Sequence, residues 1–525
     1  MNKNDIKIEG ISAAEPKRTD TELIPLRGES VWCESSGDFT LPDYMPRIGK
    51  MLSCTPRIIP SGRYIGGDRV EFSGSVVYSV LYTGEDGAPF WTTLSGDYEY
   101  SVPLGDAADS PRIEVYDEPL IENVSMRASG PRKMSVRTRI RSTPCIMYES
   151  AKDPDDILPD TATLERLTEF IPVSCHRHFE SGEFTLCENF KLDASPEAEA
   201  VGCDGVVCVT EAAVTAGAVA CRGEVEIRVL YFDIEGGRRK LLCTKKKMRF
   251  EQRIPIDTSA VPSGVRVYGR LISTDLASAE DSSDFSLSAV VALYGEYTGA
   301  EERSFLLDVY SCERPCTVNC ERTEYRRAIL CRNANYSFHT QKNLPESFSS
   351  DCEVCTSAAT SRIGEVTLTD GNVEVSGEIT VECVLCKNGE DGTEYAVLAM
   401  PIPVKCEFPA DCSPEKYEAS VACDVGDVRV RVDGESVCAD AELYLAVFVN
   451  GIESVNTVSN ISQKDETVPR RDTMTVYYPD GEETLWSVSK KFAVPLRAVA
   501  AKNGIRSTSP ASADSLDGVG ALIIT

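Results

Sequence analysis

Apolar and polar residues alternate along Gly74-Ser-Val-Val-Tyr-Ser-Val-Leu-Tyr82, and the chain repeats the pattern twice. The later copies are Gly223-Glu-Val-Glu-Ile-Arg-Val-Leu-Tyr231 and Gly377-Glu-Ile-Thr-Val-Glu-Cys-Val-Leu385. Superposed without gaps, they align Val76 with Val225 and Ile379, Tyr78 with Ile227 and Val381, Val80 with Val229 and Cys383, and Tyr82 with Tyr231 and Leu385. Such alternation predicts a strand with one buried and one wet face. Each copy runs into a turn-rich stretch: Thr83-Gly-Glu-Asp-Gly87, Asp233-Ile-Glu-Gly-Gly237 and Lys387-Asn-Gly-Glu-Asp-Gly392. Glycine and asparagine accept the positive φ that hairpin turns require. Each return strand stops at an apolar-Pro step, Val102-Pro103, Ile254-Pro255 or Phe408-Pro409, because proline cannot donate to a ladder.

A second alternating block follows each hairpin: Met134 to Ile140, Phe285 to Val291, and Val428 to Val432 with Ala441 to Val447. Short strands at this spacing predict sandwich or barrel-like packing. The entry Leu41-Pro42-Asp43 is echoed by Leu344-Pro345-Glu346, while the middle copy offers only Phe184-Thr-Leu186. Pro42 and Pro46 predict an extended entry, and the acid beside the proline a turn or helix start. Lys152 to Asp160, Glu301 to Arg303 and Ser459 to Arg471 read as polar linkers.

The last fifty or so residues change period. Thr473 to Pro479 reads as a strand closed by its proline. Leu485, Val488 and Phe492 fall at helical spacing behind Thr484 as N-cap, and Pro495 to Asn503 reads as a second short helix ended by Gly504. Ala521 to Ile524 closes as a strand. The expected fold class is therefore mainly β, with three tandem β-rich repeats and a small β-α-α-β module. The divisions are a loose N-terminal tail (1–25), repeats at 26–165, 166–310 and 311–462, a linker (463–472) and the module (473–525).

Composition narrows the function. The formal net charge of −29 over 525 residues argues against nucleic acid, whose phosphates demand cations, and against anionic membrane surfaces. Lys245-Lys-Lys247 is the one basic run, read as a solvated strand end. Met1 to Ile8 lacks the apolar core of an export signal, and no apolar run approaches the ~20 residues of a membrane helix; both predict a cytoplasmic protein without a membrane span. The 21 cysteines do not form a small secreted disulfide framework. Most read as small buried hydrophobes, with a minority left as exposed thiols open to later cross-linking.

Catalytic and metal signals are sparse. Cys175-His-Arg-His178 holds two of the three histidines and reads as solvated loop rather than a metal site. Cys352-Glu-Val-Cys355 and Cys383-Val-Leu-Cys386 share zinc-ligand spacing, yet residues three apart on a strand face opposite sides. Cys383 is therefore expected inward and Cys386 outward. Cys312, Cys316 and Cys320 would align on a helix, which Pro315 opposes. No phosphate loop, dinucleotide fingerprint, metalloprotease motif or nucleophile elbow occurs, and 83 acidic residues make chance carboxylate pairs certain. We expect no enzyme and no cofactor. Trp486 is expected in the core of the terminal module and Trp91 packed on its own hairpin.

The terminal module resembles a LysM domain through Tyr478-Pro479, Thr484-Leu485-Trp486-Ser487-Val488-Ser489, Phe492, Val494 and Lys502-Asn503-Gly504-Ile505. That resemblance implies a shallow groove for N-acetylglucosamine polymers, carried by Asp480, Gly481, Glu483, Thr484, Asn503 and Ile505. The family's Pro-Gly-Asp-Thr-Leu is here the longer, more acidic Pro479-Asp-Gly-Glu-Glu-Thr-Leu485, which keeps a protein ligand in play beside a sugar. With this tail, the Leu41-Pro42-Asp43-Tyr-Met-Pro46 entry and the repeated hairpins resemble the SPOCS domain of spore-forming Firmicutes. The domain order is similar to that of spore-coat morphogenetic proteins. The resemblance implies a scaffold made in the mother-cell cytoplasm and placed at the forespore surface. Its implied partners are the ATPase of the coat's basement layer or other spore-coat proteins. The alternative is a peptidoglycan-binding wall anchor with the repeats as spacer.

Overall fold

The computed structural model describes residues 23–27, 30–149, 164–192, 194–195, 198–215, 217–235, 238–256, 261–278, 284–369, 371–389, 392–410, 414–464, 467, 473–480, 483–505, 516 and 519–524. The molecule is mainly β. A first set of strands comprises β1 (Leu23–Arg27), β2 (Val31–Thr40), β3 (Ile48–Gly66), β4 (Arg69–Gly84), β5 (Pro89–Pro103), β6 (Ile113–Tyr116), β7 (Leu120–Gly130), β8 (Lys133–Ser142) and β9 (Cys145–Glu149). A second comprises β10 (Leu164–Glu180), β11 (Phe184–Lys191), β12 (Glu199–Thr215), β13 (Ala218–Glu235), β14 (Arg238–Pro255), β15 (Val261–Ser278) and β16 (Asp284–Ser311). A third comprises β17 (Cys316–Asn343), β18 (Glu353–Thr369), β19 (Asn372–Gly389), β20 (Gly392–Pro409), β21 (Tyr417–Asp433) and β22 (Ser436–Gln463).

The second and third sets are each built from two antiparallel sheets and the first from three. The middle strands form the meanders β3-β4-β5, β12-β13-β14 and β18-β19-β20. In the other sheet the last strand lies between the first and the penultimate: β2-β8-β7 with β1-β9-β6, then β10 and β11 against β16 with β15 on its far side, then β17-β22-β21. The alternating stretches of the sequence are the central meander strands β4, β13 and β19. Their inward residues Val76, Tyr78, Val80 and Tyr82 lie in one core, Val225, Ile227 and Val229 in a second, and Ile379, Val381, Cys383 and Leu385 in a third. Burying each of these side chains contributes roughly 1.5–3 kcal/mol.

Sequence patterning does not reveal the bulges. The register of β3 on β4 shifts between Met51 and Ser53 and again between Pro60 and Gly62. Matching shifts fall at Ala200/Gly202 and Val209/Glu211, and at Val354/Thr356 and Ile363/Glu365. Bulges bend and twist a strand, curling the meander over the facing sheet. They also account for the repeated glycine. A Cβ at Gly223 would lie 2.4 Å from the Cys208 carbonyl oxygen, one at Gly377 2.4 Å from that of Arg362, and one at Gly74 2.7 Å from that of Ile59.

Several expectations are corrected. The central strands are not wet on one face throughout, because Leu81, Leu230 and Val384 are at most 2% exposed. They meet in a single apolar cluster with Leu52 and Trp91 of the first set, Phe232, Leu241 and Cys243 of the second, and Cys355, Cys386 and Tyr395 of the third. Cys386, expected outward, is thus buried. Trp91 packs beyond its hairpin, since its indole fills the space a Gly202 side chain would occupy. Glu301 to Arg303 is no linker: it lies within β16, paired with Val173 to Ile171 of β10. The middle counterpart of Leu41 and Leu344 is not Leu186 but Leu192, which likewise follows its strand directly and is buried. The entries after Leu41 and Leu344 are turns closed by Met45 N–H to Pro42 (3.0 Å) and Phe348 N–H to Pro345 (2.8 Å). The stretch Lys152 to Asp160, residues 1–22 of the expected tail and most of the 463–472 linker lie outside the described residues.

The terminal segment has β23 (Thr475–Tyr477), α1 (Leu485–Phe492), α2 (Leu496–Asn503) and β24 (Leu522–Ile524), with β23 and β24 antiparallel. Leu485, Val488, Val494, Val499, Leu522 and Ile524 form its own core. No helix among the described residues is long and apolar enough to cross a membrane.

Candidate functional site

In the terminal segment the Thr484 hydroxyl accepts from Ser487 N–H (3.1 Å) while Ser487 Oγ accepts from Thr484 N–H (3.0 Å). This capping box starts α1 and is worth about 1 kcal/mol. Gly504, at φ +64°, ends α2, a conformation glycine adopts without penalty. Asn503 is fully engaged. Its amide donates to Val499 O (2.8 Å) and Ile523 O (2.9 Å), and its carbonyl accepts from Ile523 N–H (2.7 Å). It ties α2 to β24.

Glu483 accepts from Tyr477 OH (2.8 Å), from Asp480 N–H (3.1 Å) and from Lys491 (3.3 Å). The Tyr477 hydroxyl, with these further contacts, holds its carboxyl below the usual range. Asp480 is exposed, and Ile505 packs at the edge of the segment's core. Leu516 N–H donates to Glu483 O at 3.3 Å, so the backbones after β23 and before β24 touch. Gly481 lies outside the described residues. The structure therefore makes Glu483, Thr484 and Asn503 framework residues and leaves Asp480 at the rim.

Trp486 is not part of that core. Its indole N–H donates to Asp308 Oδ2 (2.8 Å), and its ring meets Tyr310 edge-on at 4.9 Å. Lys490 reaches both Asp308 oxygens at 2.6 Å, and Tyr310 OH donates to Val494 O at 2.8 Å. The segment is seated on the end of β16. Sequence reading missed this, although Trp486 beside Lys490 on one helix face was the available signal.

The second concentration of chemistry lies where the three sets meet. Arg266 of β15, buried, contacts Glu118 from the first set at 3.0 Å and Glu296 of β16 at 3.2 Å. His176 and His178 approach Glu296 at 3.9 and 3.7 Å. Asn450 of β22 lies 2.7 Å from His176 Nε2, Ser420 of β21 donates to Glu296 at 3.5 Å, and Tyr116 stacks on His178 at 3.9 Å. His176 is thus a buried strand residue and His178 a partly buried one, not solvated loop. Burial, then the nearby Glu118 charge, pushes the Asp424 carboxyl up to about 7. Desolvating buried charges offsets much of what their pairing returns, so such a cluster adds little net stability while loss of one partner costs a great deal.

Lys245 and Lys247 also depart from expectation. Lys245 pairs with Glu226 (3.1 Å) and donates to Val428 O; Lys247 pairs with Glu224 (2.8 Å) and Asp427 (3.0 Å). They bridge the second and third sets instead of pointing into solvent. Arg228 adds Asp204 (2.8 Å) and Ser357 O (2.6 Å). Among the described residues no group of three or more His, Cys, Asp or Glu is arranged to hold a metal. No protein-family model matches this sequence, and no curated protein or solved structure matches it.

Proposed function

We propose that this chain is a non-enzymatic scaffold of a spore envelope, which tethers coat proteins to the forespore surface through a LysM-like terminal module. On this reading the three strand sets are SPOCS-like repeats, made and used in the mother cell. The carrying observation is the convergence of Leu81, Leu230 and Val384 in one cluster. It joins three similarly paired units into one body, as a platform for assembly requires. The Glu118–Arg266–Glu296 ion cluster adds a contact that only one arrangement of the units satisfies. The partner proposed is the ATPase of the coat's basement layer or another coat protein.

A second reading, a peptidoglycan-binding anchor, is favoured by the touch between Leu516 and Glu483, which brings a residue ahead of α1 against one ahead of β24, as a sugar groove needs. Titration of the full chain against chitin oligomers or cortex peptidoglycan, and in parallel against the coat-basement ATPase, separates the two. Protein binding without sugar binding supports the scaffold; sugar binding alone replaces it with the anchor; neither removes both.

A further inference from the structure

One face of the first set departs from the charge of the whole chain. β8 is the central strand of the sheet β2-β8-β7. Met134, Val136 and Ile140 point from it into the core, so Arg137, Arg139 and Arg141 stand on the outward face. β7 adds Arg127 to that face, in register with Ser135. The acids on it are Asp38 and Glu34 of β2 and Glu122 of β7. Cations thus exceed carboxylates here, on a chain of net charge −29. The shared topology does not call for this. At their outward positions the central strands β16 and β22 carry Ser286, Ser288 and Val290, and Asp440, Glu442 and Tyr444.

The arginines already hold carboxylates. Arg137 contacts Glu34 at 2.6 Å. Arg139 and Arg141 share Glu122 at 3.6 and 3.4 Å, and Glu122 also accepts from the Trp32 indole N–H at 3.2 Å. The Arg139 guanidinium lies 5.8 Å from the centre of the Trp32 ring, close enough for a cation–π contact. One carboxylate therefore serves two guanidinium groups, which leaves positive charge over. The Arg137 and Arg139 side chains are 67% and 56% exposed. Pairs this exposed contribute little, so an incoming carboxylate can join or replace them with little loss. Trp32 and Leu120 flank Arg141 in register, one on each side, and both are exposed. Tryptophan and arginine are enriched at binding hot spots.

We propose that the outward face of β2-β8-β7 docks an extended acidic segment of a partner protein, with carboxylates at alternate positions. Side chains on one face of a strand recur about every 6.8 Å, so the three arginines repeat at the spacing of alternate residues in an extended peptide. A planar guanidinium matches a carboxylate through two parallel hydrogen bonds. A nucleic-acid strand fits less well, because Asp38, Glu34 and Glu122 sit among the arginines and would repel its phosphates. Trp32 and Leu120 offer contact to an apolar residue at one end of the segment. This inference depends neither on the scaffold reading nor on the terminal module.

The test follows the fluorescence anisotropy of a labelled octapeptide of alternating glutamate and valine as the full chain is added at low salt. The comparison probes are an octapeptide of alternating lysine and valine and an oligothymidylate of equal length. Saturable binding of the acidic peptide is expected. Arg137→Ala combined with Arg139→Ala should weaken it about tenfold, while Lys405→Ala, which breaks a surface pair with Glu374, should leave it unchanged. Arg137→Lys with Arg139→Lys keeps the charge but loses the paired hydrogen bonds, and should restore only part of the affinity. On the unsubstituted chain, bound peptide should protect Arg137 and Arg139 from phenylglyoxal, which decides the matter should a variant fail to fold. No saturable binding of the acidic peptide, binding unaltered by the double substitution, or tighter binding of the oligothymidylate overturns the proposal. Self-association of the chain that the same double substitution abolishes gives the face to a second copy and overturns it too.

Discussion

Trp486 of the terminal segment and Asp308 of β16 are joined by an indole N–H to carboxylate hydrogen bond of 2.8 Å, although 178 positions separate them. The same carboxylate receives Lys490. The segment that follows the third set in the chain is thereby seated on the second.

Asp308→Ala removes both contacts and leaves a buried indole N–H unpartnered. The docked state should lose about 1–3 kcal/mol. Limited proteolysis should then cleave between 464 and 473 faster than in the native chain, while the far-UV spectrum stays unchanged. Equal cleavage rates would mean that Asp308 does not hold the segment.

Arg266→Met leaves Glu118 and Glu296 facing each other without their cation. Stranding buried charge costs about 3–5 kcal/mol, so the urea midpoint should fall sharply. Arg222→Ala, which breaks surface pairs with Glu211 and Glu251, should leave the midpoint nearly unmoved. Matching shifts in the two variants would remove any special weight from the ion cluster.

Asp424 faces Glu118 and Arg266 and holds its proton up to about pH 7 when folded, against roughly 4 when unfolded. The folded state therefore binds the proton more tightly. Its contribution is fully present below the unfolded value and is lost as pH rises through about 7. Asp424→Asn should match the native chain near pH 4 and become relatively more stable by pH 8. Parallel midpoint-against-pH curves for the two proteins would contradict the assignment.

Asn503→Ala should unfold the terminal segment before it tests any ligand, since Ile523 loses partners for both its N–H and its C=O. The cost is about 1–3 kcal/mol, read as early loss of exchange protection at residues 522–524. Asp480→Asn, at the exposed rim, should keep that protection and is the cleaner probe of binding.

The strands, their turns and the β-α-α-β order were legible because alternation, proline stops and caps are local signals. Thr484 and Gly504 announced helix ends from two or three residues of context. The junction was not legible as a place, but it had a trace. The eighth position of each repeated stretch, Leu81, Leu230 or Val384, is apolar where a wet face calls for a polar residue. The bulges left almost no trace, because a register shift is settled by the partner strand. The ion cluster depended on contacts between residues as distant as Glu118 and Arg266. Patterning placed Asn503 at the end of the second short helix, but could not show that its side chain ties that helix to β24.

The seat of Trp486 on Asp308 also sets a route for force. A pull applied to the terminal segment by whatever it holds enters the molecule at the end of β16, which is flanked by β10, β11 and β15. A long strand loaded along its axis between paired neighbours resists by shearing many hydrogen bonds together, not by opening them one at a time. The middle set would take the first strain and pass part of it to the third, whose Val318, Val458 and Ile461 pack with Leu306 and Val309 beside the seat.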